Sequence, residues 1–177
     1  MKKANLIIIL ALIMFVLGYG LHQYIDNSKV ETTLNQQESL RKSLFSIWHD
    51  APAMAAAAGE RYTLCPDGTF THYTSQYDLE SRLISQEGTW NIVHNNLLQL
   101  TIIKKTVLVG GQFEKYELGE DNEYILRNAR KKQIVLDTAE IVLYPITELM
   151  DSTEREGYLM VKIGGMQFYS MHKKKVD

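Results

Sequence analysis

Five histidines are scattered along the chain: His22, His49, His72, His94 and His172. None stands in a His-x-His or His-x-x-x-His spacing, so local geometry brings no two of them onto one metal ion. The sequence therefore predicts no metal site and no cofactor. His49-Asp50 places a base beside a carboxylate, half of a nucleophile-activating set. The other half is missing, because Ser43, Ser46 and Ser75 lie in no Gly-x-Ser-x-Gly turn that would expose a hydroxyl for attack. Glu114, Glu117, Glu120, Asp121 and Glu123 crowd into ten residues. They lack the Asp-x-Asp-x-Asp-Gly grammar of a calcium loop and read as a solvated face. Lys173-Lys174-Lys175 reads as a solubilising tail. The chain is read as non-catalytic.

Cys65 is the only cysteine, which excludes an intramolecular disulfide and a cysteine-rich zinc site. Standing just before Pro66-Asp67-Gly68, it reads as a small apolar residue flanking a turn, with pairing between two chains as the alternative. More informative are Tyr62, Phe70, Trp90 and Phe168, each alternating with polar neighbours. In a small barrel, inward positions either fill the core or line one ligand cavity. In the second case these four residues form the wall.

What must position them is a series of short strands. Arg61 to Leu64 and Thr69 to Thr74 flank Cys65-Pro66-Asp67-Gly68, a strong hairpin signal. Gly88 to Val93 and Leu97 to Ile102 flank His94-Asn95-Asn96, with Trp90 and Ile92, then Leu98, Leu100 and Ile102, alternating with polar residues. Thr106 to Val109 runs into Gly110-Gly111, and Phe113 to Leu118 resumes the pattern. Arg130-Lys131-Lys132 separates Tyr124 to Leu126 from Gln133 to Asp137, and Pro145 closes Ile141 to Tyr144. Tyr158 to Ile163 and Met166 to Met171 enclose Gly164-Gly165. That two-residue turn sets Ile163 opposite Met166 and Val161 opposite Phe168, so Leu159, Val161, Ile163, Met166 and Phe168 share a face expected to be core. Ala51 to Gly59 is rich in alanine and suits one short helix or a loop of small residues. The fold class expected is mainly all-β, a small antiparallel barrel or sandwich over 44–177. No strand-to-helix unit with a glycine-rich turn interrupts the strands, which excludes the α/β nucleotide folds.

Leu44-Phe45-Ser46-Ile47-Trp48, Asp67-Gly68-Thr69-Phe70, Gly88-Thr89-Trp90 and Asn96-Leu97-Leu98-Gln99-Leu100 together resemble the lipocalin-like domains of bacterial membrane-anchored envelope proteins. The resemblance covers roughly 44–172, with motif-level similarity confined to 61–102. Ser46 stands where that family has glycine two places before its first-strand Trp. The resemblance implies a small antiparallel barrel, in some members holding an apolar ligand.

Upstream the chain changes character. After Met1-Lys2-Lys3, residues Ala4 to Leu21 carry no charge. As a helix rising about 1.5 Å per residue they span about 27 Å, close to the hydrocarbon thickness of a bilayer. Tyr19, His22 and Tyr24 follow at the expected interface, and the two lysines should stay cytoplasmic. A transmembrane signal-anchor over 1–24 is the reading, with the bulk of the chain extracytoplasmic. The alternative is a cleaved signal ending near Gly18-Tyr19-Gly20, which leaves a secreted or periplasmic protein. A lipoprotein would need a cysteine directly after the run, and none is there. Residues 25–43 are mostly polar and read as a partly helical stalk.

The whole chain has 177 residues and a formal charge of −2. It lacks the basic excess of a nucleic-acid-binding protein, and its hydrophobic fraction of 45% is enough for a packed core. Two functions fit. One is a membrane-anchored module binding an apolar small molecule or an envelope protein. The other is a structural accessory subunit touching a larger membrane complex through its sheet edge and transmembrane helix.

Overall fold

The computed structural model describes residues 31–51, 59–75, 81–115, 124–147, 149–152 and 157–171. The expected membrane segment 1–24, the alanine-rich residues 52–58, the acidic residues 117–123 and the lysine tail fall outside them. Among the described residues no helix is long and apolar enough to cross a membrane. The chain divides into Met1–Ser39 and Leu40–Asp177, and the second unit holds the sheet. Residues 31–43 are helical. The compact unit begins before residue 44 because Leu40 packs against the core and the Arg41 guanidinium lies 5.3 Å from the ring centroids of both Phe45 and Trp90.

Among the described residues nine strands make one antiparallel sheet: β1 Ser46–His49, β2 Arg61–Leu64, β3 Thr69–Tyr73, β4 Leu83–Val93, β5 Leu97–Lys115, β6 Tyr124–Pro145, β7 Met150–Asp151, β8 Tyr158–Ile163 and β9 Met166–Met171. The order is β6-β5-β4-β3-β2-β1-β9-β8-β7, so β1 to β6 meander and the C-terminal hairpin returns to the free side of β1. The mainly all-β expectation holds. Among the described residues the sheet is not closed: just past the end of β6, Ile146 forms an isolated bridge with Ile163 of β8. Backbone bonds Gly164 N to Pro145 O (3.0 Å) and Thr147 N to Lys162 O (3.2 Å) flank that bridge.

Period-two alternation explains which side chains go in. Tyr62 and Leu64, Phe70 and His72, Trp90 and Ile92, then Leu98, Leu100 and Ile102 are all buried on their strands. Together with Leu44, Trp48, Ile146, Val161, Ile163 and Phe168, the apolar members form a single core. Trp48 donates its indole N–H to the Leu44 carbonyl at 2.9 Å, which satisfies the one polar atom of a fully buried side chain. β1 opens at Ser46, whose hydroxyl is bonded to that of Ser170 on β9. The turn Cys65–Gly68 is set by Asp67, whose carboxylate accepts from the Thr69 amide (2.9 Å) and hydroxyl (2.7 Å). These two bonds hold the carboxyl below its ordinary range.

Three sequence expectations are corrected. Gly110-Gly111 does not end a strand, since β5 runs on through it with both residues at positive φ. They lie within the β5–β6 ladder, near Asn128 on β6, which is also at positive φ. Arg130-Lys131-Lys132 does not separate two strands, since β6 continues across it. A cationic run is tolerated there because that edge of the sheet faces solvent. The hairpin register that puts Met166 on one face with Val161, Ile163 and Phe168 is as expected. Met166 is nevertheless 47% exposed, although Ile163 opposite it is buried; it follows the two-residue turn directly and the core covers only its partner.

Candidate functional site

Tyr62, Phe70, Trp90 and Phe168 are all buried in the one core, none more than 3% exposed. Tyr62 meets Phe168 edge to face at 5.1 Å. Trp90 meets Phe45 in the same way at 5.8 Å and donates its indole N–H to the Cys65 carbonyl at 3.0 Å. These contacts join β2 to β9 through Tyr62 and Phe168, and β4 to the entry of β1 through Trp90 and Phe45.

Next to Tyr62 the interior turns polar. His72 sits opposite Tyr62 in the β2–β3 ladder, and the two rings stack with centroids 4.1 Å apart. Its Nε2 lies 2.7 Å from Glu60 Oε1 and its Nδ1 lies 3.3 Å from Gln86 Oε1. Burial pushes the Tyr62 phenol well above its ordinary value, and the charges of Glu60 and Tyr144 beside it act in the same direction. Glu60, Tyr144 and the stacked His72 ring thus stand beside one phenol, with Gln86 behind His72. The His72–Glu60 contact and the stacking on Tyr62 fix both rings. Among the described residues no three metal-binding side chains converge. Parity could have flagged His72, since Thr69 to Tyr73 places it on the same face as Phe70. Glu60 lies outside the strand pattern and gives no such signal.

In His49-Asp50 the carboxylate has a backbone partner. Asp50 Oδ2 accepts the Glu60 backbone N–H at 2.8 Å, while the Asp50 amide bonds the Glu60 carbonyl. The carboxylate therefore clamps β1 to the entry of β2. Cys65 is a free, half-buried thiol whose backbone closes the β2–β3 turn.

Outside the core the prominent feature is the β5–β6 hairpin. β5 has 19 residues and β6 has 22, several times an ordinary strand. Pairing of β4 to β5 stops at Leu83↔Val107, so Leu108–Lys115 and Tyr124–Lys131 continue as a two-stranded ribbon of about 25 Å. Arg82 braces its base. Its carbonyl accepts the Leu108 N–H at 2.7 Å, and its guanidinium donates to the Gly110 carbonyl at 2.7 Å while lying 5.4 Å from the Phe113 ring.

Among the described residues β6 is the outer strand of the sheet, laddered to β5 on one side and meeting the β8–β9 turn only at its last residue, Pro145. It exposes Val135 by 74%, Ile141 by 65% and Leu143 by 50%. Between Ile102↔Glu140 and Lys104↔Val135 the register shifts, and Leu136, Asp137, Thr138 and Ala139 stand against Ile103 alone. This irregularity divides β6 into two stretches regularly paired with β5. Comparison with known protein families, characterised proteins and solved structures finds no match to this chain.

Proposed function

We propose that the domain is a non-catalytic interaction module that engages a protein partner through the free edge of β6 and the ribbon it shares with β5. The observation that carries this reading is a 22-residue outer strand with large β-branched and aliphatic side chains in solvent. Such an edge presents alternate N–H and C=O groups as a template for another strand. The four aromatic residues considered as a cavity wall are all buried in the core, Tyr62 against Phe168 and Trp90 against Phe45, which favours the edge over the interior as the binding surface. The uncharged segment 4–21 would hold the module at a membrane, within reach of an envelope complex.

The test is a photo-crosslinking amino acid placed at Val135, at Ile141 and, as a control, at Ile47, which is 49% exposed on β1. In membranes of the native host, Val135 and Ile141 should each yield one discrete adduct that Ile47 does not. Equal labelling from all three positions, or none, would remove the edge from consideration.

A further inference from the structure

We propose that the stretch of β6 from Tyr124 to Val135 is a strand-addition site for an acidic, extended segment of a partner protein. This rests on the edge-binding reading and gives it a chemistry. Over this stretch β6 keeps one register with β5, from Lys115↔Tyr124 to Lys104↔Val135. Beyond Val135 the irregular residues Leu136–Ala139 end any continuous ladder, so an added strand is confined to this length.

The stretch holds Arg127, Arg130, Lys131 and Lys132 and not one Asp or Glu. Neighbouring cations are already matched. Arg127 Nε lies 3.2 Å from Glu114, Lys104 pairs with Glu87, and Lys105 Nζ lies 2.6 Å from Glu140. Arg130, Lys131 and Lys132 are exposed and have no carboxylate partner among the described residues. By strand alternation Arg130 and Lys132 project to one face and Lys131 to the other. A strand laid alongside thus meets a cation on each face and is best matched by carboxylates at successive positions.

The same charges argue against a second copy as the occupant. Antiparallel self-pairing centred between Ala129 and Arg130 sets Arg127 against Lys132, and pairing centred on Arg130 sets that residue against itself. Like charges directly opposite each other are destabilising. Backbone bonding to the edge supplies affinity without regard to sequence, and the three cations select the partner.

The experiment uses the full chain in non-ionic detergent micelles and two fluorescent probe peptides, (Glu-Thr)6 and (Lys-Thr)6. Anisotropy should show the acidic peptide binding at least tenfold more tightly. Raising NaCl from 50 to 500 mM should weaken it at least tenfold, and R130E/K131E/K132E should invert the preference. Hydrogen exchange across 124–135 should slow in the complex, as backbone pairing requires. Equal affinity for both peptides, or an unchanged preference in the variant, overturns the proposal. So does acidic-peptide binding without slowed exchange, which would mark a plain charged surface. Stronger exchange protection by phosphatidylglycerol vesicles than by the peptide assigns the patch to lipid, and dimerisation of the free chain assigns the edge to itself; either overturns it. A crosslinked partner at Val135 alongside failure of the acidic peptide removes this proposal and leaves the edge reading in place.

Discussion

Gly88→Ala should be far more damaging than Gly110→Ala, although only Gly110 has a backbone conformation that disfavours alanine. Gly88 has no unusual φ, but a Cβ there would overlap the Thr101 carbonyl oxygen and stand 2.9 Å from its carbon and 3.1 Å from Ile102 Cα. All three are backbone atoms of β5, so no rotamer change gives relief, and β4 must lift from β5. The lift falls beside the bulge at Glu87/Gly88 and beneath Phe70, which pairs with Gly88. Overpacking of this kind costs about 1–3 kcal/mol, and each ladder hydrogen bond lost adds about 0.5–1.5 kcal/mol. A total near 3 kcal/mol should lower Tm by about 10 °C. At Gly110, φ is +69° and nothing lies within 4 Å, so alanine costs about 1 kcal/mol of left-handed strain and about 3 °C. Trp48 and Trp90 are the only tryptophans, and both are buried in the core. Intrinsic fluorescence during thermal or guanidinium unfolding therefore reports the relevant event directly. If Gly110→Ala costs as much as Gly88→Ala, close approach of the two strands is not what fixes glycine at position 88.

Arg82→Ala should loosen the ribbon and spare the sheet. Its bonds to Leu108 and Gly110 and its stacking on Phe113 are solvent-exposed, so about 1 kcal/mol is at stake, and hydrogen exchange over 108–115 should rise about fivefold while 97–102 stays unchanged. An increase spread evenly over β5 would mean that Arg82 is not a local brace. The Tyr62 phenol should resist alkaline ionisation, because its folded-state pKa lies above the unfolded value of about 10. Its contribution to stability is complete below pH 10 and declines as pH rises further, since the unfolded chain then releases the proton first. Absorbance titration at 295 nm should show one phenol that ionises only with unfolding and is missing in Tyr62→Phe; a Tyr62→Phe curve identical to wild type would refute this.

Local grammar made much of the fold legible. Asp67-Gly68 and Gly164-Gly165 specify their hairpins through turn geometry, and alternation in 88–102 assigns Trp90, Ile92, Leu98, Leu100 and Ile102 to the interior. The register Val161↔Phe168 follows from a two-residue loop alone. The long strands were not legible, because Gly110-Gly111 and Arg130-Lys131-Lys132 are ordinarily breaks. Here positive φ values at Gly110, Gly111 and Asn128 let the ribbon pass, and an outermost strand can carry charge along its length. The polar cluster also escaped the sequence. Glu60, His72, Gln86 and Tyr144 come from four separate places in the chain and meet only when β2, β3, β4 and β6 are assembled. The exposed edge carries no motif, since its significance lies in what does not pair with it.

The return of β9 to β1 has a kinetic consequence. His49 pairs with Tyr169, and Ser46 bonds Ser170, across more than a hundred residues of intervening chain. A polypeptide that emerges N-terminus first makes β1 early and β9 last. Until β9 arrives, β1 is paired only on its β2 side and the core lacks Phe168, Val161 and Ile163. The hairpins between β2 and β6 can form from nearby residues as they appear, but docking of the C-terminal hairpin must close a very large loop. Maturation of this domain is thus timed by completion of its final strand, and chains truncated before residue 166 should accumulate as collapsed species vulnerable to proteases.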